Sequence, residues 1–180
     1  MTTNTPDDGT IVPDTKNWTW VLERACPECG MDTSRFGFRE LPGLILANAA
    51  AWPAVLERAD VRERPDPQTW SPLEYAAHVR DVFRVFDGRL LRMLGEDAPA
   101  FENWDQDATA LADDYAGQDP AVVAEQLLAA AEVVARRFEE VPADQVHRTG
   151  LRSDGAAFTV ETLGLYFVHD PVHHLHDVRR

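Results

Sequence analysis

Residues 70–79 read WSPLEYAAHV, and their reading decides the fold. Ser71 is a helix N-cap, Pro72 suits the first helical position, where no N–H is needed, and Glu74 completes a capping box. Trp70 and Tyr75 stand where a hydrophobic staple closes over such a start. Downstream, Tyr75, Val79, Val82, Phe83, Phe86, Leu90, Met93 and Leu94 recur at three- and four-residue steps until Gly95, the pattern of one apolar helix face. His78 falls inside this pattern and should border the interior.

Three more amphipathic patterns surround this helix. One runs from about Arg39 to Ala59 through Leu41, Leu44, Ile45, Trp52, Val55 and Leu56, with Pro42 in its first turn and a kink predicted at Pro53. Another opens at Asp119 and Pro120 and follows Val123, Leu127, Ala130, Ala131, Val134, Phe138 and Val141. The last is capped by Thr159 and runs toward the C-terminus. The links between them, an acidic one after Gly95 and a polar one after Pro142, contain no convincing β-hairpin. The pattern predicts an all-α four-helix bundle over residues 38–180. Ahead of it, residues 18–37 read as an extended arm carrying Cys26-Pro-Glu-Cys29-Gly, and residues 1–17 as a disordered N-terminus with little to bury.

Composition narrows the partners. Thirty-one acidic against 17 basic residues give a formal charge of -14, which repels nucleic-acid backbones and anionic membranes. There is no basic stripe, no signal-peptide pattern and no apolar run of membrane-spanning length. A cytoplasmic protein is the expectation, with neither nucleic acid nor membrane as partner and dimerisation through a helix face left open.

The C-terminus, YFVHDPVHHLHDVRR, holds four histidines in eight residues: His169, His173, His174 and His176. His169 and His173 are four apart, one turn on the same helix face. With His78 as third donor they would make a neutral imidazole set suited to Zn, Ni, Cu or Fe(II), leaving a position open for water or substrate. The alternative is a set of hydrogen-bonded or solvated histidines with no metal. The main apolar stripe of this helix lies nearly opposite His169 and His173, so the helix must bury two faces or change phase. The arm around Trp18 and Trp20 is a natural cover for the second face, and Pro171 predicts a kink that re-aims the two rings.

The combination of WSPLEYAAHV with HDPVHH about ninety residues later resembles the DinB-like family of metal-binding four-helix bundles, which also contains mycothiol-dependent maleylpyruvate isomerases and bacillithiol S-transferases. The resemblance implies a divalent metal, zinc or nickel above all, held by His78, His169 and His173, with His174 and His176 around them. It also implies a low-molecular-weight thiol such as mycothiol as co-substrate, and a thiol-dependent transferase or isomerase acting on a small electrophile. Hydrolysis at the same three ligands, or a non-enzymatic metal-binding stress-response bundle, are the competing readings. Pro171 and the CPECG arm are outside the general family pattern. Cys26 and Cys29 themselves read as half of a structural zinc site, needing His or Asp from the same chain or the same pair from a second subunit. Two reduced cysteines in a turn are the alternative, as is a redox dithiol, although the arm lacks the helix N-terminus after a strand that thioredoxin-like chemistry uses.

Overall fold

The computed structural model describes Ile11 and residues 17–179. The 1–17 segment read as disordered therefore lies, apart from Ile11 and Asn17, outside the described residues. Six helices form: α1 (Leu41–Ala49), α2 (Trp52–Leu56), α3 (Pro72–Gly95), α4 (Gln106–Ala112), α5 (Pro120–Glu139) and α6 (Val160–Asp177). The bundle is made of α1, α3, α5 and α6, with α3 lying along α5 and α6, and α1 against α5 and α6.

Helix starts follow the caps. The Ser71 hydroxyl accepts the Glu74 N–H, while Glu74 Oε2 accepts the Ser71 N–H at 2.8 Å. The rings of Trp70 and Tyr75 meet edge to face at 5.6 Å. Asp119 takes the N–H groups of Ala121 and Val122, and Thr159 that of Thr162. The pattern read as one kinked helix over 39–59 is instead a short 3₁₀ turn followed by two helices. Pro53 has no N–H to give and its ring would strike the Ala49 carbonyl, so α1 stops at Ala49 and α2 restarts with Pro53 in its first turn.

At the centre, Phe83, Phe86, Phe138 and Phe167 interlock, with Phe167 stacked on Phe86 at 4.8 Å. Gly164 is required here: a Cβ would come within 2.4 Å of Leu41 Cδ1, so α6 can approach α1 only without one. Pro171 sits inside α6 without ending it, and its carbonyl accepts a hydrogen bond from the buried Asn48 amide at 2.8 Å.

The polar links hold more than the sequence pattern showed. Strands β1 (Ala100–Phe101), β2 (Thr149–Arg152) and β3 (Ala157–Thr159) make a three-stranded sheet in the order β1-β2-β3, parallel between β1 and β2 and antiparallel between β2 and β3. The expected absence of a hairpin is thus corrected. Its turn uses Gly155 at φ +93, and Gly150 lets the sheet close onto Met93 at the end of α3. No helix among the described residues is long and apolar enough to cross a membrane.

Candidate metal centre

Two clusters of metal-ligating side chains lie side by side on α6. His78, Asp170 and His174 form one; Cys26, Cys29, His169 and His173 form the other. Within each, the donor atoms all lie within 4.8 Å of one another. The structure therefore divides the triad expected from the sequence: His78 meets Asp170 and His174, while His169 and His173 meet the cysteine arm. The reason is helical phase. Asp170 and His174 repeat the four-residue spacing of His169 and His173 one residue later, about 100° around the helix, and it is their face that turns toward α3. His176 belongs to neither cluster, and His147 is exposed in its link.

The inner cluster begins at His78, which is fully buried on α3. Its ring is stacked parallel to Trp104 at 5.3 Å, packs against Trp70 at 5.2 Å and meets His174 edge to face at 4.9 Å. These contacts leave the ring little freedom. Its Nε2 lies 3.4 Å from Asp170 Oδ1, and His174 Nε2 lies 3.7 Å from the same oxygen. The other ring nitrogen of His174 faces Asp177 at 3.3 Å. Both ring nitrogens of His78 and Asp170 Oδ1 are shut away from solvent with no hydrogen-bond partner among the described residues.

Two orphaned polar atoms, His78 Nε2 and Asp170 Oδ1, facing each other across 3.4 Å are costly unless something binds them. Imidazole nitrogen and carboxylate oxygen are donors that a divalent cation accepts, so the residues present fit a metal. Burial disfavours a charge on Asp170, yet His174 and His78 outweigh it and hold the carboxyl at about 2. Burial pushes His78 well below the usual imidazole range, against the pull of Asp170. An ionised carboxylate beside a neutral imidazole is the protonation state that a metal requires.

A cavity of about 1010 Å³ opens over both clusters. His169, Asp170, His173 and His174 line one part of it, Trp18 and Glu28 of the arm another, and Arg89 and Arg152 a third. Arg89 and Arg152 are both largely buried, and burial together with the charge of Arg152 brings Arg89 down to about 10. Arg152 is paired with Asp154 and donates to the Tyr166 hydroxyl, whereas Arg89 donates to the Glu102 carbonyl. The cavity thus joins cation-accepting donors to a pair of guanidiniums.

On the outer face, Trp18 covers His169 and His173, with ring centroids 5.5 and 5.1 Å away, as the two-faced pattern of the last helix required. Burial lowers His169 to about 4 and lowers His173 as well. Such histidines are neutral in both folded and unfolded chains above about pH 6.5, and below it the unfolded chain takes up protons first. Metal-free protein is therefore expected to lose stability as pH falls from about 6.5 toward 4, by up to about 1.4 kcal/mol per pH unit for each such histidine. Thermal unfolding of chelator-treated protein across that window checks this, and an unchanging midpoint would contradict it.

Asp170 escaped the sequence reading, although its spacing to His174 was visible; attention to the histidine-only pair hid a mixed one. The complete donor set C-x2-C plus H-x3-H was also present, split by 140 residues.

No curated protein sequence matches the chain. Among solved structures, YfiT from Bacillus subtilis, described as a probable metal-dependent hydrolase with an unusual four-helix bundle topology, superposes with a TM-score of 0.66 over 89% of this chain and 94% of its own, at 18% identity. At that identity the likeness shows the fold alone. The sequence pattern of the DinB superfamily matches residues 47–178, from α1 to the end of α6. That match takes in most of the chain, with His78, Asp170 and His174 inside it, and the chain belongs to the DinB superfamily.

Proposed function

We propose that the chain is a metal-dependent enzyme in which His78, Asp170 and His174 hold a divalent ion beside the large cavity and a small electrophilic substrate is attacked there. The observation that carries this is the meeting of His78 Nε2 and Asp170 Oδ1 across 3.4 Å, both buried and both without a hydrogen-bond partner among the described residues, with His174 Nε2 beside them. A divalent ion bound there would lower the pKa of a coordinated thiol or water and supply a nucleophile at neutral pH.

The residues of the chain do the rest. Trp70 and Trp104 orient the His78 ring, Asp177 orients His174, and Trp18 and the indole of Trp104 wall the cavity from water. Arg89 and Arg152 offer a binding place for a carboxylate on the incoming ligand. We favour a low-molecular-weight thiol such as mycothiol as the nucleophile, in a transferase or isomerase reaction. A cavity of about 1010 Å³ is at the upper end of the range for one small ligand and has room for a thiol and a second molecule. Hydrolysis is the second reading, favoured by the description given to YfiT.

Zinc- or nickel-loaded protein incubated with a panel of carboxylate-bearing thiols and a small aryl halide or epoxide should yield the thioether, detected by mass spectrometry. Ester or amide cleavage without thiol would replace the thiol reading with hydrolysis. Absence of any turnover by metal-loaded protein would overturn the enzyme reading and leave a metal-binding bundle.

A further inference from the structure

We infer that Cys26, Cys29, His169 and His173 form a second metal centre, a closed structural zinc site that fastens the N-terminal arm onto α6. Cys26 Sγ lies 3.6 Å from His173 Nδ1, and Cys29 Sγ lies 3.7 Å from His169 Nε2. Zinc bonds of about 2.3 Å to sulfur and 2.0–2.1 Å to nitrogen, at tetrahedral angles, place sulfur and nitrogen about 3.5 Å apart. Both separations match that edge within about 0.2 Å, and the two pairs come from chain segments 140 residues apart.

Three further features fit a metal better than a pair of thiol–imidazole contacts. His173 turns Nδ1 to Cys26 Sγ, while its Nε2 stands 3.5 Å from Glu28 Oε2 and 3.6 Å from Asp177 Oδ2. That is the carboxylate–histidine arrangement that holds a ligating ring in the right tautomer, with the proton on the far nitrogen. The cysteines sit on a tight knuckle in which the Gly30 N–H reaches the Cys26 carbonyl at 2.9 Å and the Cys26 N–H reaches the Met31 carbonyl at 2.8 Å. Gly30 holds φ +75, which a side chain would resist. Finally, Cys26, His169 and His173 are all under a tenth exposed and Cys29 is half-buried, so the four donors are largely withdrawn from bulk water.

Four protein donors complete a tetrahedron and leave no open position, so this centre holds structure and does no chemistry. Two thiolates with two imidazoles select zinc over magnesium, calcium or manganese. Between Trp18 and Glu40 the described arm has only 3₁₀ turns; the metal supplies the fastening that its sparse secondary structure lacks. Since Trp18 and Glu28 also line the cavity, the zinc fixes one wall of the pocket in which the neighbouring centre would act.

The test is to remove metal from the untagged full chain under reducing, anaerobic conditions, then add cobalt or zinc alone. Cobalt should give an intense near-ultraviolet thiolate-to-metal charge-transfer band with the visible bands of a tetrahedral ion. The Cys26→Ser/Cys29→Ser double variant should lose this band, and Asp170→Asn should keep it, which separates this centre from the inner one. Zinc analysis should show one equivalent fewer in the double variant than in wild type. If the cysteine variant fails to fold, the wild-type spectrum alone decides. A wild-type cobalt complex without sulfur charge transfer, or a double variant with undiminished zinc, would overturn the proposal.

Discussion

Replacing Asp170 with asparagine is expected to weaken zinc binding at the inner centre by more than about 100-fold, beyond the range seen when only a supporting partner of a ligand is lost. The change keeps shape and volume but removes the negative charge that His78 and His174 face across 3.4 and 3.7 Å. It also replaces an acceptor-only group with one that carries donors. The metal-free fold should lose stability as well, because His174 and His78 hold the carboxyl at about 2 and so favour its ionised form in the folded chain. Chelator competition on reduced protein, paired with thermal unfolding of the metal-free form, separates the two effects. Unchanged affinity would exclude Asp170 as a ligand.

The largest loss of stability is expected from Phe167→Ala, about 3–5 kcal/mol. Phe167 has no exposed surface and stands where three helices meet, stacked on Phe86 of α3 and Phe138 of α5 at 4.8 and 5.8 Å and edge-on to Phe83 at 5.9 Å. Truncation would leave a cavity that aromatic neighbours cannot collapse into without giving up their own stacking. Against a typical total of about 5–15 kcal/mol for a domain, this is about a fifth of the stability or more. Denaturant unfolding measures it; a loss below about 1 kcal/mol would mean that the ring is not a keystone of the bundle.

The long helices were legible because their caps and their periodicity agree. Ser71, Asp119 and Thr159 each cap the helix that the pattern after them announces. The sheet was not legible, since its strands, AF, TGLR and AFT, span only two to four residues and are too short to show an alternating pattern. Their pairing is decided by Gly150 closing on Met93, a contact with no local signature. At the candidate site, His78 and the histidine-rich helix stood out, and the arm was rightly placed over the second face of that helix. Which donors face one another depends on a rotation of about 100°, and spacing alone gives the same answer for residues 169 and 173 as for 170 and 174. Only the position of α3 and of the arm breaks that tie.

Asp177 stands 3.6 Å from His173 Nε2 and 3.3 Å from His174 Nδ1, so one carboxylate would brace a ligand of each proposed centre. Its consequence is genetic as much as chemical. From His169 to Asp177, α6 spends nearly every position on a donor, a brace, the Asn48 acceptor or core packing, and a single-residue deletion upstream in the helix would rotate both donor sets away from their partners together. Drift in this segment should therefore be confined to substitutions that preserve length.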